Sequence, residues 1–202
     1  MDYLGLRTAV NSSLGGREDL PAHIYEVALA EINRDIRILD MQSTTTLTAS
    51  TEEVSLPSDF LEVVSLYIDS GGSRNNLKPQ TPDALNFRRN DTGRPISYAV
   101  LDGALKLMPA PDGSYDLELR YYAENAALSA DTDVNPVLTK YPEYYLYTVL
   151  KHAGAWAQDQ EQMQWWGTLG GQARDSLMNT ELSRMMSGPF VQRPSANVSR
   201  RQ

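Results

Sequence analysis

Residues 96–109, ISYAVLDGALKLMP, hold the clearest structural signal in the chain, because two alternating runs meet there at Asp102-Gly103. An Asp-Gly pair tolerates the positive φ angles that a type I′ turn requires, and this turn joins the strands of a tight β-hairpin. The segment therefore predicts a hairpin with one strand on each side of residues 102 and 103.

Strand-like patterns extend outward from this hairpin over residues 41–125. STTTLTAS, residues 43–50, is rich in threonine, whose β-branched side chain favours strands. Two-residue apolar spacing follows, and it returns after a second Asp-Gly pair at residues 112 and 113; its members are Val54, Leu56, Val64, Leu66, Ile68, Leu117, Leu119 and Tyr121. TPDALNFRR, residues 81–89, is typical of a short helix capped by Thr81. We expect a mostly antiparallel β module.

The sequence of residues 1–40, before this module, predicts two helices. The first has an apolar face of Tyr3, Leu6, Val10 and Leu14 and ends at Gly15-Gly16. The second is expected to begin near Asp19, with Pro21 in its first turn. Its apolar stripe consists of Tyr25, Leu29, Ile32, Ile36 and Leu39.

Residues 126–187, after the module, return to the helical period. One helix is expected to begin at Pro142, with Glu143 favoured at its positive end, and another to run from about Gln160 to Met186. The apolar stripe of the first consists of Leu146, Val149, Leu150, Ala153, Trp156 and Ala157; that of the second, of Met163, Trp166, Ala173 and Leu177. The order predicts an α+β fold, a helical bundle with an inserted antiparallel β module and an extended C-terminal arm at residues 188–202.

Composition excludes several classes of protein. The 202-residue chain has a net charge of −8, which argues against wrapping nucleic acid by neutralising phosphates. It has no cysteine, so disulfides, thiolate metal sites and a cysteine nucleophile are excluded. The start, MDYLGLRTAV, does not have the pattern of a signal peptide, and no apolar run approaches the roughly 20 residues of a membrane span. We expect a protein that is made and kept in a cytoplasm, or in a particle assembled there.

Motifs for chemistry are missing. His23 and His152 are predicted to be isolated surface residues, and no zinc, nucleotide-binding or serine-hydrolase motif is present. The acidic DTD at residues 131–133 lacks the glycine and glutamate of an EF-hand, so it indicates a capping loop. The sequence predicts no catalytic residue, no metal site and no cofactor.

Aromatic residues are concentrated in residues 140–166, which hold all three tryptophans and four of the eleven tyrosines. One helical stripe cannot bury them all, because Trp165 and Trp166 point about 100° apart on a helix. Tyrosine and tryptophan are favoured in protein interfaces. We expect one side of this region to be core and the other a subunit interface containing Tyr144, Tyr147 and Trp165.

The C-terminal segment has a different character from the acidic body. Residues 188–202 contain Arg193, Arg200 and Arg201 but no acidic residue, and Phe190 with Val191 offers an apolar anchor. We expect a segment of this composition to become ordered when it binds an acidic surface of a partner.

Three segments together resemble the head-to-tail adaptor proteins of bacteriophages, and most closely the tail tubular A, or connector, type of short-tailed phages. They are IYEVALAEINRDIRI (24–38), VSLPSDFLEVVSLYID (54–69) and LELRYYAENAALSADTDVNPVLTKYPEYYLYTVLKHAGAWAQD (117–159). Their order covers roughly residues 20–180, and LPSDFLEV and YPEYYLYTVLKHAG are the more specific parts.

The resemblance implies a structural virion protein rather than an enzyme. Such proteins form a ring, usually of twelve copies, at the head-tail junction between the portal protein and the tail nozzle protein, after assembly in the host bacterial cytoplasm. DNA passes through the ring during genome ejection without sequence-specific binding, and no membrane is involved. The net negative charge of the chain fits this role. A channel with the same sign of charge as DNA does not hold the phosphates, so the duplex can slide.

The resemblance also suggests partners for particular residues. The portal-binding arm would use Phe190, Val191, Arg193, Arg200 and Arg201, and Arg74, Arg88 and Arg89 are candidates for contact with the nozzle or a neighbouring subunit. An alternative is a receptor- or carbohydrate-binding tail component, which would place aromatic residues on strands or loops. A small hydrolase is a third possibility, but it lacks a recognisable site.

Overall fold

The computed structural model describes residues 1–16, 19–70, 73–83 and 91–186 of the chain. Within these ranges the chain forms five α-helices and eight β-strands, which confirms the α+β class. In chain order they are α1 (Tyr3–Ser13), α2 (His23–Asp35), β1 (Gln42–Ala49), β2 (Glu53–Ser55), β3 (Phe60–Ser70), β4 (Ser73–Asn76), β5 (Lys78–Pro79), β6 (Ser97–Leu101), β7 (Ala104–Met108), β8 (Tyr115–Ala123), α3 (Pro136–Lys140), α4 (Pro142–Trp156) and α5 (Gln160–Met186). The arm at residues 188–202 and most of the helix expected at 81–89 lie outside the described residues.

The hairpin forms as the sequence predicts. Strands β6 and β7 pair antiparallel, with Leu101 opposite Ala104 across the turn. Asp102 and Gly103 have φ angles of 51° and 75°, the two positive values that a type I′ turn needs.

Two four-stranded sheets make up the β module. Their strand orders are β1-β8-β3-β4 and β2-β7-β6-β5, and the pairing is antiparallel except between β5 and β6. Both sheets contribute to one apolar core, whose buried members are Ala49, Val54, Leu66, Ile68, Leu77, Tyr98, Leu105, Leu107, Leu117, Leu119 and Tyr121. The module is therefore a small sandwich of two sheets.

Strand β3 departs from the simple alternation that its sequence suggests. Its register with β8 shifts between Val63 and Ser65, so Val64 is an extra residue in a β-bulge. Val64 is 39% exposed, whereas Leu66 is fully buried. The two-residue spacing of Val64 and Leu66 therefore does not place both side chains on the buried face, because the bulge displaces Val64.

The helices form a second core of their own. Helix α4 packs against α5, α2 and α1. The two helices approach closely at Gly154 of α4, where a Cβ atom would lie 2.8 Å from the backbone nitrogen of Met163 in α5. Only glycine fits there, because a backbone atom cannot move aside as a flexible side chain can.

Helix α2 is shorter than its apolar stripe suggests. It begins at His23 instead of near Asp19, and it ends at Asp35. Ile36 is extended, with φ −128° and ψ 153°, yet it remains buried. Ile36 lies four positions after Ile32 and is buried although it is not helical. Apolar spacing alone could therefore not locate the end of the helix.

Polar side chains connect the helices to the sandwich. Asn33 of α2 accepts hydrogen bonds at Oδ1 from the backbone N–H and the side-chain Nδ2 of Asn125, at 3.1 and 2.7 Å. Its own Nδ2 donates to Glu124 at 3.1 Å. Asn125 follows the last strand, so these bonds fix where the chain leaves β8 relative to α2.

Candidate assembly surfaces

The end of α5 is fixed to the rest of the protein by a buried carboxylate. Glu181 is only 1% exposed, and it accepts hydrogen bonds from the backbone N–H of Leu39 at 2.8 Å and from the Tyr141 hydroxyl at 2.5 Å. Burial by itself would raise the pKa of Glu181, but the bonds from Tyr141, Leu39 and Arg184 outweigh burial and lower this pKa. Glu181 is therefore a charged anchor.

Arg184 extends this anchor to the start of the sandwich. Its guanidinium contacts Glu181 and lies 2.8 Å from a carboxylate oxygen of Asp40, just before β1. The hydrogen bond from Arg184 lowers the pKa of Asp40. The last turns of α5 are thus held at the junction between the helices and the sheets.

A different side of the same turns is apolar and accessible. Met178, Leu182, Met185 and Met186 recur at helical spacing and are 40–58% exposed. An exposed apolar row of this kind is a candidate interaction surface. We call these four residues the α5 stripe. The spacing of these four residues is visible in the sequence, next to the predicted apolar stripe that includes Leu177.

The aromatic residues proposed for a subunit interface have three different environments. Trp165 is 62% exposed. Tyr147 is half-buried and stacks on Trp166, with ring centroids 5.9 Å apart and planes at 19°. Tyr144 is only 3% exposed, and burial raises its pKa to about 12.

Tyr144 therefore belongs to the core of the subunit, and its ring offers no surface to another copy. The reason is that α4 is surrounded by α1, α2 and α5, so it buries a wider arc than a single stripe. Spacing along α4 could not show how many helices surround it.

Arg74 lies on the exposed face of the first sheet, and part of its bonding capacity is already used. Its guanidinium lies 4.1 Å from the centre of the Tyr67 ring and pairs with Glu118 on β8. Arg88 and Arg89 lie outside the described residues, as do Phe190, Val191, Arg193, Arg200 and Arg201.

The two histidines have different environments, since His23 is exposed and His152 is half-buried. His152 is not isolated, because its Nε2 lies 2.6 Å from Glu31, which Lys151 also contacts. Burial favours a higher pKa for Glu31, but these two partners lower it. Across residues 1–16, 19–70, 73–83 and 91–186 there is no cluster of three or more metal-binding side chains, and no helix is long and apolar enough to cross a membrane.

The chain matches a known protein family. A protein-family model described as SU10 adaptor protein matches residues 1–193, which is nearly the whole chain. Among curated proteins, none matches this sequence.

Proposed function

We propose that this chain, which belongs to the SU10 adaptor protein family of phage head-to-tail adaptors, forms a ring that joins the portal to the tail nozzle and continues the DNA channel. The family match over residues 1–193 carries the proposal. The family is structural rather than enzymatic, so the chain acts by binding other virion proteins. We expect twelve copies in the ring, assembled in the host bacterial cytoplasm.

In this proposal the portal binds at the end of α5. The helices act as one bundle on the portal side, and residues 188–202 run along the portal as an extended arm. The accessible α5 stripe supports this assignment, because it leads directly to that segment. Glu181 and Arg184 support it as well, since an arm that starts from a fixed position loses less entropy on binding.

Other surfaces are assigned to the remaining partners. The exposed Trp165 and the half-buried Tyr147 contact the neighbouring subunit. Arg74, together with Arg88 and Arg89, contacts the nozzle or a neighbour. The net charge of −8 keeps the channel from holding DNA phosphates, so DNA passes without sequence-specific binding during ejection.

One observation favours a second candidate, a carbohydrate- or receptor-binding tail component. Tyr67 and Arg74 form a cation–π pair on a strand face, and a sugar ring could stack on such a pair. The aromatic residues on the helices and the family match favour the adaptor.

Purified chain mixed with purified portal rings distinguishes the two candidates. Negative-stain electron microscopy should show portal rings capped by a second ring. A chain truncated after Met186 should keep its circular dichroism spectrum but fail to cap the portal. Binding to a glycan array without capping of the portal would contradict the adaptor and support the second candidate.

A further inference from the structure

Strand β1 differs from the other edge strands of the two sheets. The strand orders place β1, β4, β2 and β5 at the edges. Strand β1 has eight residues, whereas the other three have four, three and two. Folded proteins usually keep exposed edges short, because unpaired backbone groups attract strands from other chains. The length of β1 therefore requires an explanation.

Strand β1 lacks the sequence and pairing features that usually protect an edge. Its sequence, QSTTTLTA, has no proline and no charged residue. Its pairing with β8 runs from Gln42 opposite Tyr122 to Ala49 opposite Tyr115 without a bulge. No strand in the part of the chain that the structure describes pairs with its outer side, so about half of its backbone N–H and C=O groups point outward without a strand partner.

The sandwich is also incomplete beneath β1. The side chains of Ser43, Thr45 and Leu47 point toward the core but are only half-buried. Leu117 and Leu119, which lie opposite Leu47 and Thr45 on β8, are fully buried. A further strand beside β1 would cover this part of the core.

We propose that β1 accepts a strand from a second copy of this chain, so that the sheet β1-β8-β3-β4 continues from one subunit into the next. The proposal rests on the ring proposed above and names the surface that closes it. The sheet has its other edge on the opposite side, at β4, so pairing of β1 with that side of the next copy is head-to-tail. A head-to-tail contact forms a ring when its repeated rotation closes, as it does in the ring proposed above.

Charge complementarity favours a second copy as the occupant. Glu53, the first residue of β2, is exposed and acidic, and its carboxylate lies 3.8 Å from Lys106 of the same subunit. On the far side of the module, Arg74 on β4 and Lys78 on β5 are exposed and basic. Head-to-tail pairing brings these opposite charges toward each other.

Amide hydrogen exchange of residues 42–49 tests the proposal directly. It is measured by mass spectrometry on the free chain, on the chain bound to purified portal rings, and after addition of the purified nozzle protein. We expect the outward amides of β1 to exchange at least about tenfold more slowly on the portal rings, before any nozzle is added. Protection that appears only with the nozzle, or no protection in a complete ring, would overturn the second copy as occupant.

A charge placed on the edge provides the matched test. Thr46 lies exposed in the middle of β1, opposite Glu118, so the fold can accommodate a lysine there. Thr46→Lys places a positive charge on the edge strand, which disfavours pairing with another strand. Arg74 and Lys78 of the next copy would repel this charge. We expect the thermal unfolding midpoint to stay unchanged and the affinity for completing the ring to fall about tenfold or more. Thr132→Lys, at an exposed loop residue, is the control and should assemble like the unmodified chain. Normal assembly of the stable Thr46→Lys variant would overturn the proposal.

The ring and the edge can fail separately. If the chain never assembles on the portal but β1 becomes protected as the chain concentration rises, the proposed function is wrong and the edge contact stands. If neither occurs, both are wrong.

Discussion

The two halves of α5 differ in how they pack against the rest of the subunit. Its first half packs closely on α4. The backbone of Met163 in α5 lies so near residue 154 of α4 that only glycine fits at that position. Its second half buries one side through Leu177 and Glu181 and leaves the α5 stripe accessible. A substitution at the contact of the first half with α4 should therefore lower the free energy of unfolding. A substitution in the α5 stripe should instead lower the affinity for a partner.

The largest loss of stability is expected at the contact between α4 and α5. Gly154→Ala places a Cβ atom 2.8 Å from the Met163 backbone nitrogen, so the two helices must separate. We expect the free energy of unfolding to fall by about 2–3 kcal/mol in urea denaturation.

Gly171→Ala is the matched control for this substitution. Gly171 lies in α5 with nothing within 4 Å of a built Cβ. Because alanine favours a helix over glycine, this variant should gain up to about 1 kcal/mol. Equal effects of the two substitutions would contradict the difference in packing.

The next largest effect is expected at the anchor of the second half. Glu181→Gln keeps the shape of the side chain but removes the charge that Leu39, Tyr141 and Arg184 bind. We expect a loss of about 2 kcal/mol in the free energy of unfolding. Glu161→Gln, at an exposed residue in the first turn of α5, should cost at most about 0.5 kcal/mol.

A smaller effect follows from the lowered pKa of the same carboxylate. A carboxyl group whose pKa is lower in the folded protein stabilises it above the ordinary value of 4.5, and this contribution is lost as the pH falls through the folded pKa. Unfolding midpoints measured below pH 4.5 should therefore fall more steeply for the unmodified chain than for Glu181→Gln. Glu31 and Asp40, whose pKa values are also lowered, leave a slope in the variant. Parallel curves would show that Glu181 is not the charged anchor.

Much of this fold could be predicted from local signals. Asp102-Gly103 specifies its turn by its own backbone preferences, and the bounds of α5, Gln160–Met186, follow from its apolar period. The resemblance to phage head-to-tail adaptors is confirmed by the family match. Features that depend on residues far apart in the sequence were not predicted, because local patterns do not show which elements pack against each other. The burial of Tyr144 depends on three surrounding helices, and the open edge at β1 depends on the order of strands.

The central claim is that the exposed side of the second half of α5 binds the portal. The most direct measurement compares the unmodified chain with the double variant Leu182→Ser and Met185→Ser in urea denaturation and in titration onto purified portal rings. Val134→Ser is the control, since Val134 is an apolar residue of similar exposure away from the stripe. We predict that the double variant unfolds within about 0.5 kcal/mol of the unmodified chain and binds the portal at least about tenfold more weakly. Unchanged portal affinity in a folded double variant would contradict the claim.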